Sequence, residues 1–326
     1  MSAGLVAASL DNIARVVVVP RNGYANRLQA WASASALAEQ IGLSAQVFWE
    51  PEDVAAARAE DLFEDAWLAS RSISADELSD LIGGEHNSIP RYLTHDEGRS
   101  VIRLAGHDRG EQAFMSELVA LGRSLSTPQA LVIIAGGKFQ MMGESQARTA
   151  RQAFYRSLSW NSIIDDLVRK VVPSNGRYAA LHIRTTDRSI EAPSRATIRR
   201  ALEQVRHDFA DRSLFVCADS AEACRRWSME VRNLGFEPWT VDEVEYDRSL
   251  PANGVSAMVD WRLLAGAETV IHPSESTFSS EATVAGGSWD QSLPLTAAPW
   301  LRSARSFQRA LDNAASFPRR QLQSLM

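Results

Sequence analysis

Cysteine is scarce in this sequence, and the scarcity excludes two common ways of holding a fold together. The chain of 326 residues contains two cysteines, Cys217 and Cys224. With so few, and with no Cys-x-x-Cys or Cys/His spacing, the sequence supports neither a disulfide framework nor a zinc site. Cys217 lies in an apolar segment, so we expect both thiols to be buried and free.

Long hydrophobic runs and a strong excess of one charge are also lacking. Apolar runs such as residues 16–19 are far shorter than the roughly 20 residues that a membrane-spanning helix needs. Residues 1–12 have neither the basic stretch nor the long apolar core of a signal peptide. The net charge of −6 argues against nucleic acid or an anionic membrane as the main partner. We therefore expect a soluble, cytoplasmic protein.

The composition is that of a globular protein, and the length predicts two domains. Hydrophobic residues make up 45% and charged residues 23% of the chain. Short β-branched strands alternate with amphipathic helices, a rhythm typical of the α/β class with parallel sheets. The Pro-Ser-Asn-Gly break at residues 173–176 predicts a boundary. We predict an N-terminal domain over residues 1–172 and a C-terminal domain over 173–326, with a final helix near residues 303–314 that packs on either domain.

Several elements are marked clearly enough to be given bounds. Four consecutive valines predict a first strand buried on both faces, and Gly42 ends the helix that follows it. The predicted helices include residues 24–40, 145–171, 221–233 and 255–265. The predicted strands of the second half are residues 178–183, 213–217, 238–241 and 269–271.

The first polar motif is the turn at residues 22–27, between the first strand and the first helix. Ligands of open α/β sheets gather at the carboxyl ends of strands, where such turns lie. Gly23 would let a ligand approach the backbone, and the helix start offers free N–H groups. The spacing is not Gly-x-Gly-x-x-Gly, so an ordinary turn with solvated Asn26 and Arg27 is favoured on spacing alone.

A second polar cluster follows the strand predicted at residues 178–183. An arginine at a strand's carboxyl end, here Arg184, can donate two charge-assisted hydrogen bonds to a phosphate. The alternative, an ion pair between Arg184 and Asp187 at the rim of the sheet, fits the spacing equally well. His182 lies on the same strand face as Arg184, and we interpret it as a hydrogen-bonded structural histidine.

A third motif, residues 274–280, contains five serine or threonine hydroxyls at a predicted helix start. Hydroxyls and free amides at such a position form a cradle for an anion. Helix capping alone explains one hydroxyl but not five. Asp260, among apolar residues of a predicted helix, also needs a partner. The alternatives are an intrahelical pair with Arg262, an exposed face, or a base edge such as guanine N1–H and N2–H₂.

Together these residues resemble the fucosyltransferase-like superfamily, which includes nodulation, α1,6- and protein O-fucosyltransferases. Residues 22–27 resemble its Gly-x-x-Asn-Arg turn, and residues 182–187 resemble its His-x-Arg-Arg-x-Asp motif. Asp219, after a strand, resembles the second motif, and the segment from Asp260 to Ser279 resembles the third. The order and spacing of these motifs carry the resemblance more than any one of them.

The resemblance implies a GT-B fold, with two Rossmann-like domains facing a central cleft and the nucleotide mainly on the C-terminal one. It implies an inverting, metal-independent glycosyltransferase that uses a GDP-sugar, GDP-fucose first of all, and no cofactor; the sequence has no Asp-x-Asp motif. Arg184 would stabilise the leaving diphosphate through its β-phosphate, and Asp260 would read guanine. The implied contacts to the nucleotide sugar are Gly23, Asn26, Arg27, His182, Arg184, Asp219, Asp260, Ser276, Thr277 and Phe278.

The sequence departs from the family pattern at two positions. Thr185 stands where the family has a second arginine, which leaves the identity of the sugar open. Glu275 stands in the phosphate loop, where a carboxylate repels phosphate unless it points away. In the α1,6 enzymes a glutamate shortly after the arginines is the proposed base, so Glu191 is the candidate base and Asp187 the residue that orients the loop. A solvated loop glutamate is the alternative for Glu191.

Two other functions remain open at this point. One is a GT-B transferase that uses another nucleotide sugar, and the other is a degenerate nucleotide- or sugar-binding protein, which only the missing arginine favours. A dehydrogenase is not supported, because Gly-x-Gly-x-x-Gly is lacking. The acceptor, a small molecule or glycan with a free hydroxyl, would bind the N-terminal domain, where residues 55–110 have no recognisable signature.

Overall fold

The computed structural model describes residues 11–82, 100–104, 129–139, 143–174, 176–185, 193–208 and 213–296. The chain divides into two compact units. The first unit lies within Met1–Ser174, Val241–Gly266 and Glu281–Asp290, and the second within Asn175–Thr240, Ala267–Ser280 and Gln291–Met326. Two segments beyond the predicted boundary near residue 172 thus group with the first unit. The predicted final helix lies outside the described residues.

The first unit contains a four-stranded parallel sheet in the order β2-β1-β4-β3. Its strands are β1 (Ile13–Pro20), β2 (Ala45–Val47), β3 (Ser100–Leu104) and β4 (Gln129–Ala135). The four valines of the inner strand β1 are fully buried, as the continuous apolar run predicts for a parallel strand covered on both faces. Val17 and Val19 pack with Leu78 in one apolar cluster of this unit.

The helices that precede the boundary lie in this unit and contribute to an aromatic core. They are α1 (Tyr24–Gln40), α2 (Ala59–Leu62), α3 (Asp65–Ala69), α4 (Ala75–Ile82), α5 (Glu144–Ser157) and α6 (Ser162–Val171). Trp31 of α1 is fully buried, and its ring centroid lies 5.7 Å from that of Phe63 and 5.4 Å from that of Phe154. Aromatic burial of this extent makes a large contribution to the stability of the unit.

The second unit contains a five-stranded parallel sheet in the order β7-β6-β5-β8-β9. Its strands are β5 (Ala179–Ile183), β6 (Ser213–Ala218), β7 (Glu237–Trp239), β8 (Thr269–Pro273) and β9 (Leu293–Leu295). Two helices, α7 (Arg195–Asp208) and α8 (Ala221–Asn233), contribute Ile198 and Trp227 to an apolar core with Leu181 of β5.

Two further helices carry residues of functional interest. Helix α9 (Pro251–Gly266) belongs to the first unit. Helix α10 (Thr277–Gly286) is a single helix whose first four residues belong to the second unit and whose remainder belongs to the first.

The predicted α/β class with parallel sheets is confirmed, and so is the burial of the two cysteines, which form no disulfide. The predicted helix over residues 145–171 is wrong, because the chain forms α5 and α6 with a break at residues 158–161. The side chain of Asn161 accepts a hydrogen bond from the N–H of Ile163 at 3.0 Å and so starts a new helix. The predicted arrangement of two domains facing a cleft stays a prediction. Within the described segments, no helix has the length and apolar character to cross a membrane.

Candidate functional site

Polar residues of the second unit meet at the carboxyl edge of its sheet. Strands β6, β5 and β8 are parallel neighbours, so the residues that follow them lie along one edge. Arg184 and Thr185 follow β5, Asp219 follows β6, and Ser274 follows β8. Motifs that are far apart in the sequence are therefore brought to one edge of one sheet.

Asp219 holds the backbone directly after Arg184. One carboxylate oxygen of Asp219 accepts the backbone N–H of Thr185 at 2.8 Å, and the other accepts the Thr185 hydroxyl at 3.0 Å. The N–H of Asp219 in turn donates to the carbonyl oxygen of Ile183 at 3.2 Å. Thr185 thus ties the backbone that follows Arg184 to Asp219. Whether Asp219 also touches a ligand, as the sequence predicts, remains a prediction.

His182 links β5 to the start of α10. Its ring is buried, its Nδ1 lies 3.0 Å from the hydroxyl oxygen of Ser279, and its ring centroid is 5.5 Å from that of Phe278. Burial, reinforced by the neighbouring His272 and Arg184, lowers the pKa of His182 to about 3. The imidazole is therefore neutral near pH 7, and it has the hydrogen bond expected of a structural histidine.

The serine-rich loop before α10 contains two buried hydroxyl groups. The side-chain oxygens of Ser274 and Ser276 are buried and make no hydrogen bond within the described structure. Ser276 is 1% exposed, and its backbone is fixed by a 3.0 Å hydrogen bond from its N–H to the carbonyl of Pro273. Such hydroxyls require an explanation, and beside the free N–H groups of a helix start they can serve an anion. Glu275, whose charge would oppose an anion, is exposed.

A cavity of about 180 Å³ opens beside Arg184 in the second unit. Its lining combines apolar side chains with three arginines: Leu181, His182, Ile183, Arg184, Thr185, Pro193, Arg195, Ile198, Arg226, Trp227, Pro273 and Leu295. Ligand pockets for small molecules span roughly 300–1,000 Å³. This cavity therefore accommodates at most a part of a nucleotide sugar.

In the first unit, the turn at residues 22–27 is built around Arg27. The Arg27 side chain is fully buried, and it donates to the carbonyl of Asn22 at 2.8 Å and to the Glu52 carboxylate at 2.9 Å. Burial lowers the pKa of Arg27, and Glu52 partly opposes this change. The expectation that Arg27 is solvated is wrong, because its guanidinium is held inside the turn. Glu52, which no sequence signal marked, is the residue that organises it.

The same turn leaves open space at its glycine. Among the residues that the structure describes, a Cβ added at Gly23 would meet no atom within 4 Å, which leaves room for a ligand to approach the backbone. Asn22 adopts a positive φ of 70°, and its side chain donates to the carbonyl of Gly136 at 2.9 Å. The side-chain oxygen of Asn26 is buried and has no hydrogen-bond partner among the described residues. The turn thus offers one open backbone position and one unused acceptor.

Asp260 is a buried carboxylate on α9 in the first unit. It is 9% exposed, and burial raises its pKa to about 7. The intrahelical pair with Arg262 is not formed, because Arg262 pairs with Asp165 and its guanidinium carbon lies 5.8 Å from the centroid of the Trp160 ring. A buried acceptor of this kind is costly unless a donor reaches it.

The candidate base Glu191 and the predicted loop-orienting residue Asp187 lie outside the described residues, as does any ion pair between Asp187 and Arg184. In the ranges that the structure describes, no group of three or more histidine, cysteine, aspartate or glutamate residues could hold a metal ion.

Solved fucosyltransferase structures share this fold. NodZ α1,6-fucosyltransferase, from Bradyrhizobium, soaked with GDP-fucose aligns with a TM-score of 0.53 and 20% identity, over 83% of this chain and 92% of its own. A variant of Arabidopsis thaliana FUT1 in complex with GDP aligns with a TM-score of 0.59 and 16% identity, over 86% and 72%. POFUT1 in complex with GDP-fucose aligns with a TM-score of 0.51 and 14% identity, over 88% and 99%.

No protein-family model and no curated protein sequence matches the chain. The likeness is therefore one of structure, and it extends over most of the chain. It confirms the resemblance to the fucosyltransferase-like superfamily at the level of the fold.

Proposed function

We propose that this protein is a fucosyltransferase-like glycosyltransferase that moves a sugar from a GDP-sugar, GDP-fucose first of all, to an acceptor hydroxyl. The observation that carries the proposal is the carboxyl edge of the second sheet. There Arg184 follows one strand, and the hydroxyls of Ser274 and Ser276 lie between the neighbouring strand and a helix start. In the part of the chain that the structure describes, these two hydroxyls have no hydrogen-bond partner. The structures that share the fold include fucosyltransferases solved with GDP or GDP-fucose, which supports this donor.

In this proposal each motif has one task. Ser276, Thr277 and Phe278 hold the diphosphate through hydroxyl and N–H groups at the start of α10. Arg184 binds the β-phosphate and stabilises the negative charge that grows on the leaving diphosphate. Asp260 accepts hydrogen bonds from guanine. Glu191 takes the proton of the acceptor hydroxyl as that oxygen attacks the anomeric carbon from the face opposite the diphosphate. The bond to the diphosphate breaks in the same displacement, so the configuration at that carbon is inverted.

A transferase that uses another nucleotide sugar is the second candidate. Thr185 favours it, because its hydroxyl is engaged with Asp219 at the position where the family's second arginine would reach toward the donor. A change of sugar would leave the roles of Arg184 and the serine loop intact. A donor with a nucleobase other than guanine would remove the proposed role of Asp260.

GDP is expected to raise the melting temperature of the protein, whereas UDP and ADP raise it little. A ligand at ~100 times its dissociation constant adds about 2.7 kcal/mol of stability, which a thermal-shift assay detects readily. The Ser276→Ala variant is the matched control, because it removes one proposed phosphate contact and should reduce the shift. A shift with UDP or ADP but not with GDP would contradict the guanine assignment.

Transfer activity is expected to persist in EDTA, because the sequence has no Asp-x-Asp motif of the kind that holds a donor-bound metal. The measurement is turnover with and without chelator on one preparation. Loss of activity that Mg²⁺ or Mn²⁺ restores would show that a metal ion, and not Arg184 alone, stabilises the leaving diphosphate.

A further inference from the structure

Glu281, in the middle of α10, is the centre of a buried polar network in the first unit. Its side chain is 5% exposed. One carboxylate oxygen accepts Arg151 Nε at 3.0 Å and the Tyr155 hydroxyl at 2.6 Å, and the other accepts Gln29 Nε2 at 2.8 Å. Three side chains from α1 and α5 therefore hold one carboxylate of α10.

The partners of Glu281 are themselves satisfied. The side-chain oxygen of Gln29 accepts the backbone N–H of Lys138 at 2.9 Å, and Arg151 lies 3.5 Å from the Glu144 carboxylate. Burial opposes the charge of Arg151, but Glu281, Tyr155 and Glu144 together outweigh it and raise the arginine's pKa. A buried ion pair gives little net stability compared with apolar residues, but a fully satisfied one fixes geometry. The network thus specifies where α10 lies.

A second contact holds the end of the same helix. A Cβ added at Gly286 would lie 1.9 Å from the carbonyl oxygen of Ala265, the penultimate residue of α9. This distance is far below any real contact, so only glycine permits the observed approach. Helix α10 is therefore held at two points within the first unit, by the carboxylate of Glu281 and by the backbone at Gly286.

The other end of α10 is the serine loop. Thr277 is the first helical residue, and Glu281 follows it by one turn, about 6 Å along the axis at 1.5 Å per residue. A rigid helix cannot rotate or slide at Thr277 without breaking the three hydrogen bonds at Glu281. The network and the loop are thus mechanically connected through one turn of helix.

We propose that Glu281 is a positioning residue: through α10 it sets the place of the Ser276 and Thr277 hydroxyls and of the Thr277 and Phe278 N–H groups, which bind a nucleoside diphosphate. The proposal rests on the proposed function only in naming the diphosphate as the ligand. Glu281 itself touches no substrate, and its effect is on affinity for the diphosphate.

The test uses the full chain and three variants. Glu281→Gln keeps the volume but removes the charge, Tyr155→Phe removes one hydrogen bond, and Leu78→Ala is the control. Leu78 is fully buried in the apolar cluster of the first sheet, so its truncation lowers stability without touching α10. GDP affinity is measured by calorimetry well below the melting temperature of each variant. Hydrogen exchange in the free proteins compares residues 274–282 with β1.

We expect Glu281→Gln to weaken GDP binding at least tenfold and Tyr155→Phe to weaken it less. Both should speed exchange at residues 274–282, including the Ser280 amide that bonds to the Ser276 carbonyl at 3.0 Å, while β1 stays protected. Leu78→Ala should leave GDP affinity within twofold. Unchanged exchange at residues 274–282 in Glu281→Gln overturns the proposal, as does unchanged GDP affinity in a chain whose wild type binds GDP. If the wild type binds no GDP, the proposed function fails. Hydrogen exchange at residues 274–282 in Glu281→Gln then tests the positioning role by itself.

Discussion

Replacing Arg184 by alanine is expected to remove nearly all sugar transfer while the chain stays folded. Arg184 lies at the carboxyl end of β5 beside a cavity, on a loop that Asp219 holds through Thr185. A group that stabilises developing charge on a leaving phosphate typically contributes about 3 kcal/mol or more to lowering the barrier, which corresponds to a loss of more than ~100-fold in turnover. Turnover and circular dichroism on the same sample measure both quantities.

The matched control for this variant is Arg199→Ala. Arg199 is on α7 in the same unit, its side chain is 47% exposed, and its nitrogen lies 3.4 Å from a Glu230 oxygen. Exposed ion pairs contribute little, so this change should leave turnover and fold unaltered. A purely structural role for Arg184 predicts the opposite: the Arg184→Ala protein would lose stability and retain turnover per folded molecule. That result would remove Arg184 from the mechanism.

The parts of the fold with strong local signals were predictable from the sequence. The helices predicted at residues 24–40 and 221–233 have those bounds in the structure. The second begins after Ser220, whose hydroxyl accepts the N–H of Ala223 at 3.2 Å, and a serine directly before a helical pattern is a recognisable cap. The break at residues 158–161 has no glycine or proline, and only Asn161 marks it. Weak capping signals are easily overlooked inside a continuous amphipathic pattern.

Site residues that directly follow a strand were predictable from the sequence. Residues whose role depends on partners far away in the sequence were not. Residues after β5, β6 and β8 could be placed at one edge because parallel strands align their carboxyl ends. Glu281 gave no such signal, because its partner Tyr155 is 126 residues away and Gln29 is 252 residues away. The pairing of Arg262 with Asp165 gave no local signal for the same reason, since Asp165 lies on another helix.

The Asp260→Asn variant is expected to be more stable than the wild type above pH 7, with the difference vanishing toward pH 4. The pKa of Asp260 is raised by burial from 3.8 to about 7. Between these values the folded chain keeps a proton that the unfolded chain has lost, so the stability of the wild type falls as pH rises through this window. At 1.36 kcal/mol per pKa unit, the full effect approaches about 4 kcal/mol. Chemical denaturation of both proteins at several pH values measures the difference, in which the other titrating groups cancel.

Affinity for GDP should favour the wild type over the Asp260→Asn variant, the reverse of their order in stability. If the ionised carboxylate of Asp260 accepts hydrogen bonds from guanine N1–H and N2–H₂, then binding requires loss of the proton, and wild-type affinity should fall up to tenfold for each unit below pH 7. The amide that replaces this carboxylate in the variant offers one acceptor oxygen and no charge, so the variant should bind GDP weakly at pH 8 and lack this dependence. Because both proteins meet the same titrating phosphate, their ratio isolates Asp260. Equal affinities with one shared pH profile would show that Asp260 faces no guanine, and the donor would then have to be recognised by its diphosphate and sugar.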